Sequence, residues 1–244
     1  MKDTLYIVMP AYNEEDNIEK VVKSWYSILE GKGADSCLVL ADSGSTDATH
    51  TILCSMKRNY PKLKILSDTR KEHGPKVIAL YKDAIKNGAA YIFQTDSDGQ
   101  TNPDEFSAFW EEREAYDGIF GNRTERGDGV VRALVEKGVC ILLKLFFNVR
   151  IPDANAPFRL MKAEHVERYL GKIPEDYNIP NIMITTYFVY YKEYVKFEKI
   201  SFKSRCGGVN SIHFGKIIKI GWNALKDFAV FRRDMKKDEC ETAF

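Results

Sequence analysis

The chain has 244 residues, 44% hydrophobic and 29% charged, which is the profile of an ordinary soluble globular protein of one large domain. Its net charge of +1 gives no basis for nucleic-acid binding. Its five cysteines form no CxxC or Cys/His cluster, which argues against a disulfide framework or a zinc ribbon and fits a reducing cytoplasm.

In chain order, "LYIVMP" (5–10) reads as a buried strand. The opening reaches Pro10 too soon for the apolar core of a secretion leader. Residues 15–29 carry apolar side chains at 18, 21, 22, 25, 28 and 29, a helical spacing. "CLVLAD" (37–42) is a second strand, and "STDATHTILCSMKRN" (45–59) a helix opened by a Ser/Thr/Asp cluster suited to capping. "KILSD" (64–68) is a third strand, 76–88 a third helix ended by Gly88, and "AYIFQTD" (90–96) a fourth strand. Alternation of this kind predicts parallel βαβ units, with binding loops gathered at the carboxyl ends of the strands. Those ends read "PAYNEE", "DSGSTD" and "DSDGQ", so three acid-bearing loops are expected along one edge of the sheet.

The second half is less regular. A short strand at 117–123 leads to Arg123, and a helix over 130–147 presents Val130, Val131, Leu134, Val135, Ile141, Leu142 and Leu145 as its apolar face. "PDANAPFRLM" (152–161) is a turn into a strand, and 195–205 alternates as a half-buried strand. Residues 214–237 form an amphipathic helix with Phe214, Ile218, Trp222, Leu225, Phe228 and Phe231 on one side. Residues 203–237 hold nine Lys/Arg against two Asp, so this end is either a solvated basic face or a contact for an anionic membrane. The longest apolar stretch, 139–149, is too short to span a bilayer.

Asp96 and Asp98 in "QTDSDGQTNP" are the chemical focus. Three metal chemistries suit them. A twelve-residue calcium loop over 94–105 places Gly99 and Glu105 correctly but begins with Gln94 and follows a strand. An Asp-x-Asp-Gly phosphatase would use Asp96 as a phosphoryl-accepting nucleophile beside magnesium, but Gln100 interrupts that match. A nucleotide-sugar site would use the pair to hold a divalent ion on a diphosphate, whose growing charge needs a Lewis acid when the sugar leaves. The plain alternative is that both acids cap the next turn.

The ordered set "VMPAYNEEDNI", "DSGSTDAT" and "HGPKVIALYKDAIKNGAAYIFQTDSDGQ" resembles the family-2 glycosyltransferases of the GT-A fold. "GNR", an Arg nine residues on, "DANAPFRLMK" and "RCGGVNS" resemble the branch of dolichol-phosphate mannosyltransferases and polyprenyl-phosphate glycosyltransferases. The resemblance implies a three-layer α/β fold with a mostly parallel sheet, one domain over 1–213 and a helical tail over 214–244 belonging to it. It implies a donor pocket of Pro10, Ala11, Tyr12, Glu14, Asp42, Lys76 and Ser97, and Mg2+ or Mn2+ on Asp96, Asp98 and Gln100. Arg123, Arg132 and Arg205 would grip phosphate, as the guanidinium fork does well. The implied reaction is inverting transfer of a sugar from a UDP-, GDP- or dTDP-sugar, with a lipid phosphate favoured as acceptor over a glycan hydroxyl. A hydroxyl acceptor would need a base, for which Asp153 and the pair Glu175/Asp176 are candidates. The implied setting is cytoplasmic, at the inner face of a membrane touched by the basic C-terminal helix, with a homo-oligomer as a further expectation.

This sequence departs from the branch pattern at several positions. Ser43 stands for a second Asp, Ala-Pro for Ser-Gly before Phe158, Glu136 for Ser, and Ile212 for Lys. These departures bear on the acceptor more than on the donor.

Overall fold

The first strand, β1 (Leu5–Ala11), is buried along its whole length, as an unbroken apolar run requires. It pairs in parallel with β2 (Cys37–Asp42) on one side and β4 (Tyr91–Thr95) on the other. A computed structural model describes residues 3–127, 130–204 and 214–242. Its sheet runs β3 (Leu63–Leu66), β2, β1, β4, β6 (Phe158–Lys162), β5 (Gly118–Arg126), β7 (Val195–Phe202). All neighbours are parallel except β6, which runs against both β4 and β5. The expected mostly parallel α/β sheet is therefore present.

Alternate residues of β1 feed two cores. Leu5, Ile7 and Met9 pack with α1 (Ile18–Tyr26), α2 (Thr49–Met56) and α4 (Phe106–Glu111), around Trp25, Phe93 and Phe158. Tyr6 and Val8 face the other layer, built from α3 (His73–Lys86), α5 (Val130–Phe147), α6 (Ala163–Leu170), α7 (Pro180–Tyr190) and α8 (Phe214–Thr242). This period of two is what a strand between helical layers imposes. Helix α3 ends as expected at Gly88, whose φ of +76° is the left-handed turn that glycine tolerates.

Helix α5 turns part of its expected apolar face outward, whereas α8 buries Phe228 and Phe231 of the expected face. In α5 the inward residues are Glu136, Leu143 and Phe147. Of the residues read as the apolar face, Leu142 packs against the core, whereas Leu134 is 61% exposed, Ile141 60% and Leu145 73%; the side chains of Val130 and Val131 lie outside the described residues. The helix is apolar on two sides, and only one can face the sheet. In α8 the buried line is Ala224, Phe228, Phe231 and Met235, so this half of the helix docks on the core and its basic residues stay outside. Phe228 meets Phe147 edge-on at 5.6 Å, and Asp238 is held by Lys172 at 2.6 Å and by the Tyr191 hydroxyl at 2.7 Å. Leu225 is only half-buried, and the side chains of Phe214, Ile218 and Trp222 lie outside the described residues.

These two faces predict opposite responses to truncation. Phe228→Ala should lower unfolding stability by about 3–5 kcal/mol, whereas Leu145→Ala should change it by less than about 0.5 kcal/mol. Urea denaturation of both variants measures the difference.

Candidate active site

The loop after β1 is fastened to the loop after β2. Asn13 adopts φ +54°, a left-handed conformation that Asn accepts more readily than most residues. Its amide donates to Ser45 Oγ at 3.1 Å, and its side-chain oxygen accepts from the Thr46 amide at 2.8 Å. The Glu14 amide donates to Thr49 Oγ1 at 2.8 Å, and the Ala48 amide donates to Glu15 at 2.8 Å. The Ser/Thr/Asp cluster read as a helix cap thus also stitches two loops together.

The third loop joins the same edge. Ser97 Oγ donates to Pro10 O at 2.8 Å, and Lys76 Nζ, buried in the first turn of α3, donates to Ala11 O at 2.5 Å. Lys76 also lies 5.3 Å from the centre of the Tyr12 ring. That ring is 42% exposed, an aromatic face open at the mouth of the site. Asp42 is buried and already engaged, accepting from Ser45 Oγ at 2.5 Å and facing His50 Nδ1 at 3.1 Å. Neither His50 nor the Ser45 contact was expected; both depend on the first turn of α2 folding back over β2.

Asp96 and Asp98 follow β4 directly, so the calcium loop with its flanking helices is excluded. The turn after them is capped by Asn102, which accepts from the Asp104 amide at 3.3 Å, so the two acids are not its cap. Asp96 is partly exposed and stands 3.4 Å from His73 Nε2, a neighbour that sequence reasoning missed. Asp98 Oδ1 accepts from the Gln100 amide at 3.1 Å. Gly99, at φ +72°, makes this reversal possible. Gln100 is buried, and its side-chain amide donates to Lys203 O at 2.7 Å, tying the turn to the segment after β7. Two hard carboxylate oxygens on one turn form a donor set that suits Mg2+ or Mn2+.

A second cluster lies between β5, α5 and the turn before β6. Arg123, beyond the middle of β5, is gripped by Asp153 through Nε at 2.7 Å and Nη2 at 2.8 Å. Glu136 of α5 stands 3.6 Å from the same guanidinium and accepts from the Ala154 amide at 2.8 Å. Asp153 also accepts from the amides of Arg123 and Asn155. Arg159 was not expected to matter. It is fully buried and donates to the carbonyls of Ala154, Ala156 and Asn181 and to Thr185 Oγ1, which fixes the 152–156 turn and compensates the buried charge. Arg132 lies in the first turn of α5. Arg205 lies outside the described residues. Glu175 is exposed and paired with Lys82 on the outer part of α3, away from this cluster.

A profile of glycosyl transferase family 2 matches residues 6–195. The chain belongs to glycosyl transferase family 2. Its sheet and helices are those of the GT-A fold. An uncharacterized glycosyltransferase of Synechocystis is 27% identical over 175 residues, which cover 70% of this chain and 54% of that protein. The chain therefore spans about half the length of this curated relative. Glucosyl-3-phosphoglycerate synthase of Mycobacterium tuberculosis, solved with Mn2+, UDP-glucose and glycerol 3-phosphate, superposes with a TM-score of 0.65 at 18% identity. That match covers 94% of this chain and 80% of the synthase. S. aureus TarS 1–349 gives 0.57 at 17% identity, over 82% of this chain and 60% of that one. Membership of this family sets aside the phosphatase reading of Asp96.

Burial depresses the Lys76 ammonium to about 8, with Asp42 and Glu72 partly opposing the shift. The folded chain therefore gives up this proton before the unfolded chain does. The cost is fully present below pH about 8 and is relieved as pH rises towards the unfolded value near 10.5. Relative to Lys76→Met, the wild-type chain should gain on the order of 1–2 kcal/mol of stability across that window. Denaturation curves of both proteins between pH 7.5 and 10 (about the accessible range) test the sign.

Proposed function

We propose that this chain moves a sugar from a UDP-sugar to a polyprenyl phosphate with inversion at the anomeric carbon. The observation that carries the donor half is the meeting of Tyr12, Asp42, Lys76, Asp96 and Asp98 at one sheet edge, tied by the Ser97–Pro10 and Lys76–Ala11 bonds. Tyr12 would offer its exposed ring to the base, and Asp42, already held by Ser45 and His50, would accept from a base N–H through a remaining lone pair. Lys76 supplies positive charge at the floor of the pocket. Asp96 and Asp98 would hold Mg2+ or Mn2+, with Gln100 as a third ligand through its side-chain oxygen. When bound, that ion supplies Lewis-acid stabilisation of the departing diphosphate. The choice of UDP follows from the synthase of matching fold that was solved with UDP-glucose.

Two features favour a lipid phosphate as acceptor. Asp153 accepts four hydrogen bonds, so its lone pairs are committed and it is a poor general base. A phosphate arrives as an anion and needs none. Its cations would be Arg132 and Arg205, while Arg123, committed to Asp153 and Glu136, orients the turn beside them. The second feature is the outward stripe of α5, with Leu134, Ile141 and Leu145 exposed and Lys137 and Lys144 exposed beside them. An apolar stripe with flanking lysines suits the surface of an anionic bilayer, where each Lys contributes about 1 kcal/mol. Among the described residues no helix is long and apolar enough to cross a membrane, so contact would be peripheral. On this reading α5, rather than the basic α8, is the main contact.

UDP-glucose should raise the melting temperature only when Mn2+ is present, and more than GDP- or dTDP-glucose does. No metal-dependent shift with any of the three would sink the donor assignment. Asp98→Ala should lower transfer by about 100-fold or more. Replacing Leu134, Ile141 and Leu145 together by Ser should abolish binding to anionic vesicles while leaving UDP-sugar binding intact; unchanged vesicle binding would overturn the membrane role of α5.

A further inference from the structure

Helix α2 carries Cys54 one turn beyond His50, and both side chains reach solvent: His50 is 48% exposed, and Cys54 is exposed too. Cys54 Sγ lies 3.5 Å from His50 Nε2, and His50 Nδ1 lies 3.1 Å from Asp42 Oδ2 at the end of β2. We propose that Cys54 is a modification site, at which His50 and Asp42 prime the thiol for exchange with the disulfide of a low-mass thiol.

The order of these atoms fixes which of them donates. A carboxylate only accepts, so the imidazole donates from Nδ1 to Asp42. Its proton is thereby held at Nδ1, and Nε2 turns its lone pair towards the sulfur. The thiol is then the donor on the outer side, from S–H to Nε2. Asp42 is buried, and its other oxygen accepts from Ser45 Oγ at 2.5 Å, so the acid is anchored behind the ring. Thiol, imidazole and carboxylate in succession are the arrangement that activates a sulfur nucleophile. Helical spacing brings Cys54 to His50, and the fold adds Asp42.

The exchange balances with the small disulfide as its sole co-reactant. As Sγ attacks one sulfur of RSSR, its proton passes to Nε2 and a new S–S bond forms. The old S–S bond breaks, and its electron pair leaves on RS−, which takes the proton from the imidazolium. Cys54 is oxidised to a mixed disulfide, one RSH is released, and His50 returns to its neutral form.

The other cysteines with described side chains lack these features. Burial pushes the Cys37 thiol up to about 11, and its Sγ donates to Lys62 O at 3.0 Å. Burial, with Glu136 alongside, pushes the Cys140 thiol up to about 12. Both are half-buried, and a thiol reacts as an accessible thiolate. Among the described residues Cys54 is the thiol that combines access with a base.

The test uses the full chain with Cys206→Ser and Cys240→Ser, since the side chains of Cys206 and Cys240 lie outside the described residues. The probe is hydroxyethyl disulfide, which is uncharged, and peptide mass spectrometry follows each remaining cysteine near neutral pH. Cys54 should react about tenfold faster, or more, than Cys37 or Cys140. Adding His50→Gln, a change at the helix surface, should slow Cys54 by about tenfold or more. In urea the two proteins should react at Cys54 at the same rate, because the relay exists only in the fold. The proposal is wrong if Cys54 reacts no faster than the half-buried thiols, if His50→Gln leaves its rate unaltered, or if the difference persists in urea. Each readout is a rate of thiol exchange, so the outcome is independent of whether Asp42 also receives a nucleotide base.

Discussion

The parallel pairing of β1 with both β2 and β4 is the constraint on which the rest depends. Ala11 faces Asp42 across one ladder, and Val8 faces Gln94 across the other. That register brings three carboxyl ends level, and the chain then has no choice but to turn there. Each turn begins with backbone carbonyls that the ladder no longer satisfies. Two of them are met by side chains from other segments: Pro10 O by Ser97, and Ala11 O by Lys76. The bonds that close the sheet edge are thus made by residues of the pocket itself, so stability and site geometry are coupled. Lys76 shows what the coupling costs. Burying an ammonium on a carbonyl makes its proton easier to lose, and the position is tolerated because Asp42 and Glu72 lie near enough to oppose that loss.

The cluster around Arg123 uses a different solution. There the charges are matched to one another before any ligand arrives. Arg123, Asp153 and Glu136 come from a strand, a turn and a helix, and Arg159 holds the turn by its carbonyls. Breaking a buried pair of this kind leaves an uncompensated charge, which is far more damaging than never having had the pair. The arrangement gives orientation rather than spare charge. It reconciles Glu136, at a position where the lipid-phosphate branch carries Ser, with an arginine that stays ordered.

Much of this was legible in the chain itself. The first four strands and three helices follow from apolar runs, a Ser/Thr/Asp cluster and Gly88, and the three acid-bearing loops meet where alternation placed them. What could not be read has physical reasons. Helix α7 is buried on all sides, so it carries no 3.6-residue period. Leu134, Ile141 and Leu145 of α5 face outward because both sides of the helix are apolar and the sequence does not say which one the sheet covers. His50, His73 and Arg159 act through contacts made by the fold, with no local motif.

The reversed direction of β6 separates two kinds of loop at this edge. The loops that carry Tyr12, Asp42, Asp96 and Asp98 leave parallel strands, each followed by a helix whose position the sheet dictates. The 152–156 turn instead enters β6 at that same edge, arriving from α5. Its fixed points are Asp153 on Arg123 and the carbonyls of Ala154 and Ala156 on Arg159, and none of them belongs to β1, β2 or β4. Ala-Pro before Phe158 lies in this turn, outside the two bonds that tie the parallel loops together. On the proposed function, the residues that would deliver the sugar and those that would receive it hang from strands of opposite direction.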